Sequence, residues 1–344
     1  MFLYFANARE MGEVMRTPPT FENISAKQVM NKVTSPAMPF RWSLNPYRGC
    51  THGCSFCYAR TTHTYMGMTP DDSFRQHIFI KENAADVLEA QLARKLKALR
   101  GNYAKLAEEL GLLNIGTATD PYQPIEARRR ETRKCLEVLA RYHVPTSITT
   151  RSPLILRDLD ILQQMNVHSV NISVNTLDKA VWRNLEPATP SPMKRLETVR
   201  ALADAGVPTG ILMAPILPFL TDSSEQVHEV VAAAAEYHSG FVIPSVLRLN
   251  PEVKTWFLRI IDQHYPELTA KYRQLYRGAY APQSYVQPLM QSAKAVMHKF
   301  GLAAGATGHP MPRYGLTHER ADTSAGFEGS PDSSNDGVQL PLPI

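Results

Sequence analysis

Three of the chain's four cysteines stand close together, in the stretch NPYRGCTHGCSFCY at residues 45–58. Cys50, Cys54 and Cys57 are spaced C-x3-C-x2-C, so one loop can turn all three sulfurs toward a common point. Converging thiolates are soft ligands that select zinc, copper(I) or an iron–sulfur cluster. A structural zinc site closes with four protein ligands, and no further cysteine lies nearby. A cubane held by three cysteines instead leaves one iron open to a substrate or cofactor. The competing arrangement is a Cys3His zinc knuckle completed by His52 or His63, which would make a zinc-stabilised nucleic-acid-binding module without catalysis. His52 sits between two of the ligands, a position from which a tight loop hardly lets it ligate as well.

The spacing resembles the cluster motif of radical S-adenosylmethionine (SAM) enzymes, in which an aromatic residue precedes the third cysteine, as Phe56 does here. That resemblance implies a [4Fe–4S] cluster whose free iron is chelated by the amino and carboxylate groups of SAM. It also implies a one-electron donor of flavodoxin or ferredoxin type. Electron transfer then breaks a sulfonium bond and releases a 5′-deoxyadenosyl radical. The protein's part in such chemistry is to hold cluster, SAM and substrate in register and to exclude water.

A loop of this kind needs a scaffold, and the chain supplies a regular one. WSLNPY leads into the cysteines as a strand, and HIFIKEN (77–83) reads as a second. Asn83 is placed to cap the helix marked by Val87, Leu88, Leu92, Leu96 and Leu99. Further strands are expected at 112–117, 145–150, 169–176, 208–218 and 241–250. Helices are expected between them at 131–142, 155–165, 191–205 and 225–238. Strands alternating with helices over some two hundred residues imply right-handed βαβ units and a parallel sheet, most or all of a barrel. The resemblance independently implies a partial (β/α)6 barrel, so the fold class is α/β. The organisation expected is an N-terminal extension (1–40), the barrel (41–250), a helical extension (251–316) set to cover the barrel's open mouth, and a disordered acidic tail (317–344).

In a parallel α/β barrel the working residues lie at the C-terminal ends of the strands. There the sequence reads GTATDPYQPIE (116–126), TRSPLILRDLD (150–160), SVNTLD (173–178), EPATPSP (186–192) and GILMAPILP (210–218). These stretches resemble, in the same order, the spore photoproduct lyase family, a photolyase-like branch of radical SAM proteins. The resemblance implies that Arg151 pairs with the SAM carboxylate, joined by Ser173, and that Thr119 lies near the methionyl amino group with Asp120 as an acceptor beside it. It sets Phe56, Met213 and Ala214 against the adenine. Tyr47, Tyr58 and Tyr122 are candidates for stacking or radical partners. The sequence departs from the family at Thr117, where a hydrogen-donating cysteine is expected. An alcohol O–H bond is too strong for that role. Cys135 lies in ETRKCLEVLARY among Leu136, Val138 and Leu139, where it reads as a packing residue. DNA lesion repair of the spore photoproduct lyase type is therefore the alternative reaction, and the substrate is open.

Hydrophobic residues make up 44% and charged residues 20%, ordinary for a globular protein. No apolar run approaches a membrane span, and the start lacks the basic region of a signal peptide. Clustered cysteines suit a reducing cytosol better than a disulfide framework. Net charge is +5, of which 317–344 carries −4 and the remainder +9, a body compatible with nucleic acid. The terminal QLPLPI resembles peptides by which bacterial repair and replication proteins dock on the sliding clamp, though without their usual aromatic residue.

Alanine at Cys50, Cys54 or Cys57 is expected to abolish the visible absorbance of an anaerobically reconstituted protein, whereas Cys135→Ala leaves it intact. Retention of the absorbance in any of the first three, read by spectrum and iron assay, would remove that cysteine from the ligand set.

Overall fold

The computed structural model describes residues 18–36 and 38–304. Among the described residues ten strands form two sheets: β1 (Thr20–Ile24), β2 (Met30–Lys32), β3 (Trp42–Leu44), β4 (Tyr47–Arg48), β5 (His77–Lys81), β6 (Leu113–Ile115), β7 (Thr146–Thr150), β8 (Val167–Ser173), β9 (Thr209–Ile216) and β10 (Val242–Val246). The larger sheet runs β10-β9-β8-β7-β6-β3-β2, with β3, β6, β7, β8, β9 and β10 all parallel and β2 antiparallel at one edge. Six parallel strands in chain order, joined by helical crossovers, are the partial barrel the alternation predicts.

Period-two alternation gives each strand two unlike faces. Leu44, Ile115, Ile148, Ile172, Ile211 and Val242 face outward, in one buried cluster with side chains of the covering helices such as Leu88, Leu139 and Val230. The opposite, concave face carries Ser43, Asn114, Ser147, Ser169, Asn171 and Ser173. There the Ser147 and Ser169 hydroxyls bond at 2.8 Å, and Asn171 donates to Ser147 at 3.0 Å. The crossover helices begin where caps allow. Ser191 caps Pro192–Asp204, Asp178 caps Lys179–Leu185, and Ser223 with Gln226 forms a capping box at Ser224–Glu236.

Three expectations need correction. The 77–83 strand exists, but it leaves the barrel: β5 pairs with β1 in parallel and with β4 antiparallel in a separate three-stranded sheet. Asn83 does not cap the helix Ala84–Ala98. Its amide instead accepts from the Ala26 N–H at 2.8 Å and donates to the Ala26 carbonyl at 3.0 Å, tying down the segment after β1. The 155–165 segment is a 3-10 turn, Pro153–Asp158, followed by one short helix, Leu159–Leu162.

Beyond the barrel, the helices Pro251–His264 and Pro266–Leu275 contribute Phe257, Ile261 and Tyr272 to a second buried cluster that also contains Cys54, Phe56, Leu217 and Leu247. They therefore close over the cysteine loop and the ends of β9 and β10. The third helix, Gln283–Lys299, packs instead on the outer wall, burying Ala293 and Met297 in the main cluster. The acidic tail and its terminal peptide lie outside the described residues.

Where Phe241 crosses the concave face, β9 has room only for glycine: a Cβ at Gly210 would stand 2.4 Å from the ring. Gly210→Ala is expected to cost roughly 1–3 kcal/mol by overpacking. Paired with Phe241→Ala it should be markedly less than additive, as read from denaturant midpoints of the two singles and the double.

Candidate active site

The cysteine loop follows β3 and β4 at the C-terminal end of the barrel. Two of its residues have left-handed backbone, Gly49 (φ +79°) and Gly53 (φ +65°), and a Cβ at either would collide, with the His77 carbonyl or the Arg75 side chain. Cys50 and Cys54 are buried and Cys57 is half-buried. None of the three takes part in a disulfide. Burial pushes Cys54 up to about 12 despite the opposing pull of Arg151, and burial with Asp120 holds Cys50 well above its ordinary value.

Backbone and side-chain bonds from distant segments fix the loop. The Cys50 amide donates to the Phe74 carbonyl at 3.1 Å, Ser55 to Leu185 at 2.9 Å, and Ala188 to the His52 carbonyl at 3.3 Å. The loop after β6 supplies the rest. Gln123, fully buried, accepts from the Thr51 amide at 3.1 Å and donates to the Gly49 carbonyl at 3.3 Å and to Thr119 at 3.0 Å. Thr119 in turn donates to the Gly49 carbonyl at 2.5 Å.

Asp120 is the centre of this rim. Its carboxylate accepts from the Tyr122 amide at 2.9 Å, the Thr150 hydroxyl at 2.6 Å and the Arg151 amide at 2.7 Å. The His52 ring stands 3.2 Å away. Burial would raise its pKa, but His52 and these donors hold it down to about 2. Asp120 thus joins three segments, the cysteine loop, the β6 loop and the end of β7. Both its oxygens are spent within the protein.

Arg151 and Ser173 stand differently. The Arg151 side chain is half-buried, with Nε 3.2 Å from Glu186, and it lies close enough to Cys54 and Cys57 for their charges to interact. Among the described residues its two terminal nitrogens have no partner. The Ser173 hydroxyl is buried without a hydrogen bond, as is the Asn175 side-chain oxygen two residues on. Glu186 is held below its ordinary value, against its burial, by Arg195 and Arg151. Arg195 is fully buried, bonding Glu186, the Pro190 carbonyl at 2.8 Å and the Ser173 carbonyl at 3.1 Å. Gln123, Glu186 and Arg195 were not among the sequence candidates, although Gln123 and Glu186 lie inside the quoted motifs.

The remaining candidates separate by face. Ala214 shares the concave side of β9 with Leu212, both half-buried. Met213 is turned outward by alternation into the cluster with Ile211, 1% exposed, on the face opposite Ala214. Phe56 is 5% exposed, in the cluster that the C-terminal helices complete. The tyrosines serve the framework. Tyr47 donates to Glu126, Tyr58 donates to the Thr117 carbonyl, and Tyr122 is fully buried. Thr117 accepts from Asn45 at 2.9 Å, and Cys135 is fully buried in the helix layer. The histidines that would complete a zinc knuckle are engaged elsewhere: His52 faces Asp120, and His63 meets the His77 carbonyl at 3.0 Å. Among the described residues no three His, Cys, Asp or Glu side chains are set to hold a single metal ion.

Residues 44–231 match the family model of the Radical SAM superfamily. Uncharacterized proteins of Mycobacterium bovis and Mycobacterium tuberculosis are each 34% identical to the chain over 290 residues, 83% of it and 82% of their own length. A protein of Pseudomonas phage M6 named radical SAM Nalpha-GlyT isomerase is 21% identical over 270 residues, 76% of this chain and 52% of that one. Among solved structures, spore photoproduct lyase complexed with dinucleoside spore photoproduct superposes with a TM-score of 0.61 at 19% identity, covering 82% of this chain and 79% of that one. This last likeness is one of fold.

Asp120→Asn is expected to destabilise the metal-free protein by roughly 2 kcal/mol at neutral pH, from the depression of its pKa. Because the folded pKa lies below the ordinary 3.8, the stabilisation is complete above that value and disappears as pH falls toward 2. The gap between the two proteins' denaturant midpoints should therefore close between about pH 4 and pH 2. A gap independent of pH would mean that shape, not charge, is what Asp120 contributes.

Proposed function

Because this chain belongs to the radical SAM superfamily, we propose that Cys50, Cys54 and Cys57 hold a [4Fe–4S] cluster and that the rim beside them binds SAM. The family implies both groups, and the chain is a radical SAM enzyme whose reaction is unassigned. When bound, the pair supplies reductive cleavage of SAM and a 5′-deoxyadenosyl radical able to abstract hydrogen from a substrate.

The observation that carries the assignment is the contrast among rim residues. Thr119 and Gln123 spend their polar atoms on the cysteine loop and Asp120 spends its carboxylate on His52, Tyr122, Thr150 and the Arg151 amide, whereas the Ser173 hydroxyl and, among the described residues, the two terminal nitrogens of Arg151 have no partner. A buried hydroxyl without a partner costs about 1–3 kcal/mol, which a carboxylate acceptor would recover. Arg151, held through Nε by Glu186, keeps its terminal nitrogens as a fork for two carboxylate oxygens. Thr119 and Asp120 then act as positioning residues, and Ala214 with Leu212 offers apolar surface to an adenine. Helices Pro251–His264 and Pro266–Leu275 keep water from the cysteine side.

A nucleic-acid substrate is the reading favoured by the +9 charge of the body outside 317–344. Repair of the spore photoproduct lyase type lacks its thiol, since Thr117 is bonded to Asn45 and Cys135 is buried on the outer side of the sheet. An external one-electron donor is required in either case, and the described residues include no helix able to cross a membrane.

Anaerobic reconstitution tests the assignment. A brown protein with about four irons that releases 5′-deoxyadenosine from SAM under reduction supports it, and a colourless protein with one zinc overturns it. With the cluster retained, Arg151→Ala is expected to weaken SAM binding by about one to two powers of ten, the worth of a charge-assisted bond of roughly 1.5–3 kcal/mol. Arg151→Lys should lose less. Unchanged affinity in the alanine variant, titrated under argon, would exclude Arg151 from the site.

A further inference from the structure

Three arginines among the described residues are buried. Arg195 has Glu186, and Arg75 has Asp72 at 2.6 Å. Arg60, three residues past Cys57, is the third. It is 0% exposed, and among the described residues no carboxylate lies within ion-pair distance of it. Its guanidinium donates only to backbone carbonyls: Cys54 at 2.9 Å, Gly53 at 2.5 Å and Asp71. Two of these carbonyls belong to the cysteine loop itself. The ring of Trp256, from helix Pro251–His264, lies 5.0 Å from the guanidinium carbon, and that of Phe74 lies 5.6 Å away. These rings add cation–π attraction while excluding water.

An unpaired buried charge is costly, and carbonyl dipoles offset only part of that cost. What remains within electrostatic reach is the set of cysteines, with Asp72 already committed to Arg75. As thiols they are neutral, but as metal ligands they are thiolates, and three thiolates outweigh the charge of a cubane core. We propose that Arg60 is the fixed countercharge of the cysteine loop, raising the reduction potential of the cluster that Cys50, Cys54 and Cys57 hold.

The inference rests on the cluster reading above. In the step concerned, one electron passes from the external donor to the cluster, no bond forms or breaks, and the loop gains one negative charge. A cation buried beside it in a medium of low dielectric stabilises the product of that step more than its starting state. Charge and hydrogen bonding around the sulfurs are the levers that set such potentials. Arg60 supplies the charge, and through the Gly53 and Cys54 carbonyls it also holds the loop.

Potentiometric titration under argon tests this, following the visible absorbance of reconstituted wild type, Arg60→Gln and Arg60→Lys, with near-ultraviolet circular dichroism and iron content alongside. Arg60→Gln is expected to become at least tenfold harder to reduce, a fall of 59 mV for a one-electron couple. Arg60→Lys keeps the charge but not the planar fork, and should fall by less than that. A glutamine variant with a full complement of iron and a potential within 59 mV of wild type would overturn the proposal. Should the glutamine variant fail to fold, the lysine variant decides: a potential retained supports the proposal, and one lowered by 59 mV or more overturns it. A wild type that takes up no iron removes the cluster reading instead, and the inference falls with it.

Discussion

A buried loop without secondary structure carries amides and carbonyls that cost about 1–3 kcal/mol each when left unpartnered. The cysteine loop is such a segment. Its partners come from four places: Phe74 before β5, Gln123 and Thr119 after β6, Leu185 and Ala188 after β8, and the Arg60 side chain. The rim after β6 is consequently part of the loop's support before it is part of any ligand site. Asp120 extends the same support to the end of β7, so the residue that presents Arg151 is positioned by the element that positions the cysteines. The cysteine loop, the rim after β6 and the end of β7, so linked, cannot drift apart independently.

The barrel provides a firm floor for this arrangement because its two faces do different work. The outward residues bury against helices and supply the hydrophobic stabilisation. The concave face is a hydrogen-bonded wall of serine, threonine and asparagine, which would be a poor core if nothing stood against it. The unpartnered Ser173 and Asn175 atoms lie at the end of that wall, where the cysteines are.

Much of this was legible in the sequence where the signal is local. Strand and helix alternation depends on neighbours in the chain, so the six parallel strands and most of their helices could be read from period and caps. The three cysteines announced themselves by spacing. Pairing partners are a non-local matter, and the strand at 77–83 looked like any other although it belongs to a different sheet. For the same reason Asn83 read as a cap, when its amide is used by Ala26, distant in sequence. The motif GTATDPYQPIE was visible as a polar rim, but the contacts of Thr119 and Asp120 to a loop some seventy residues earlier were not. For Met213 alternation decides the face, and only the pairing of β9 with β8 and β10 fixes which face is concave.

The placement of sulfur in the barrel has a consequence for durability. Thioethers and thiols are the side chains most readily oxidised. On β9 the one methionine, Met213, points away from the concavity, and Cys135 lies deeper still in the helix layer. The concave wall is built of hydroxyls, amides, Gly210, Leu212 and Ala214, with the Phe241 ring lying across Gly210. Outside the cysteine loop itself, the Met213 thioether and the Cys135 thiol are thereby set on the side of the β-sheet away from the concave face.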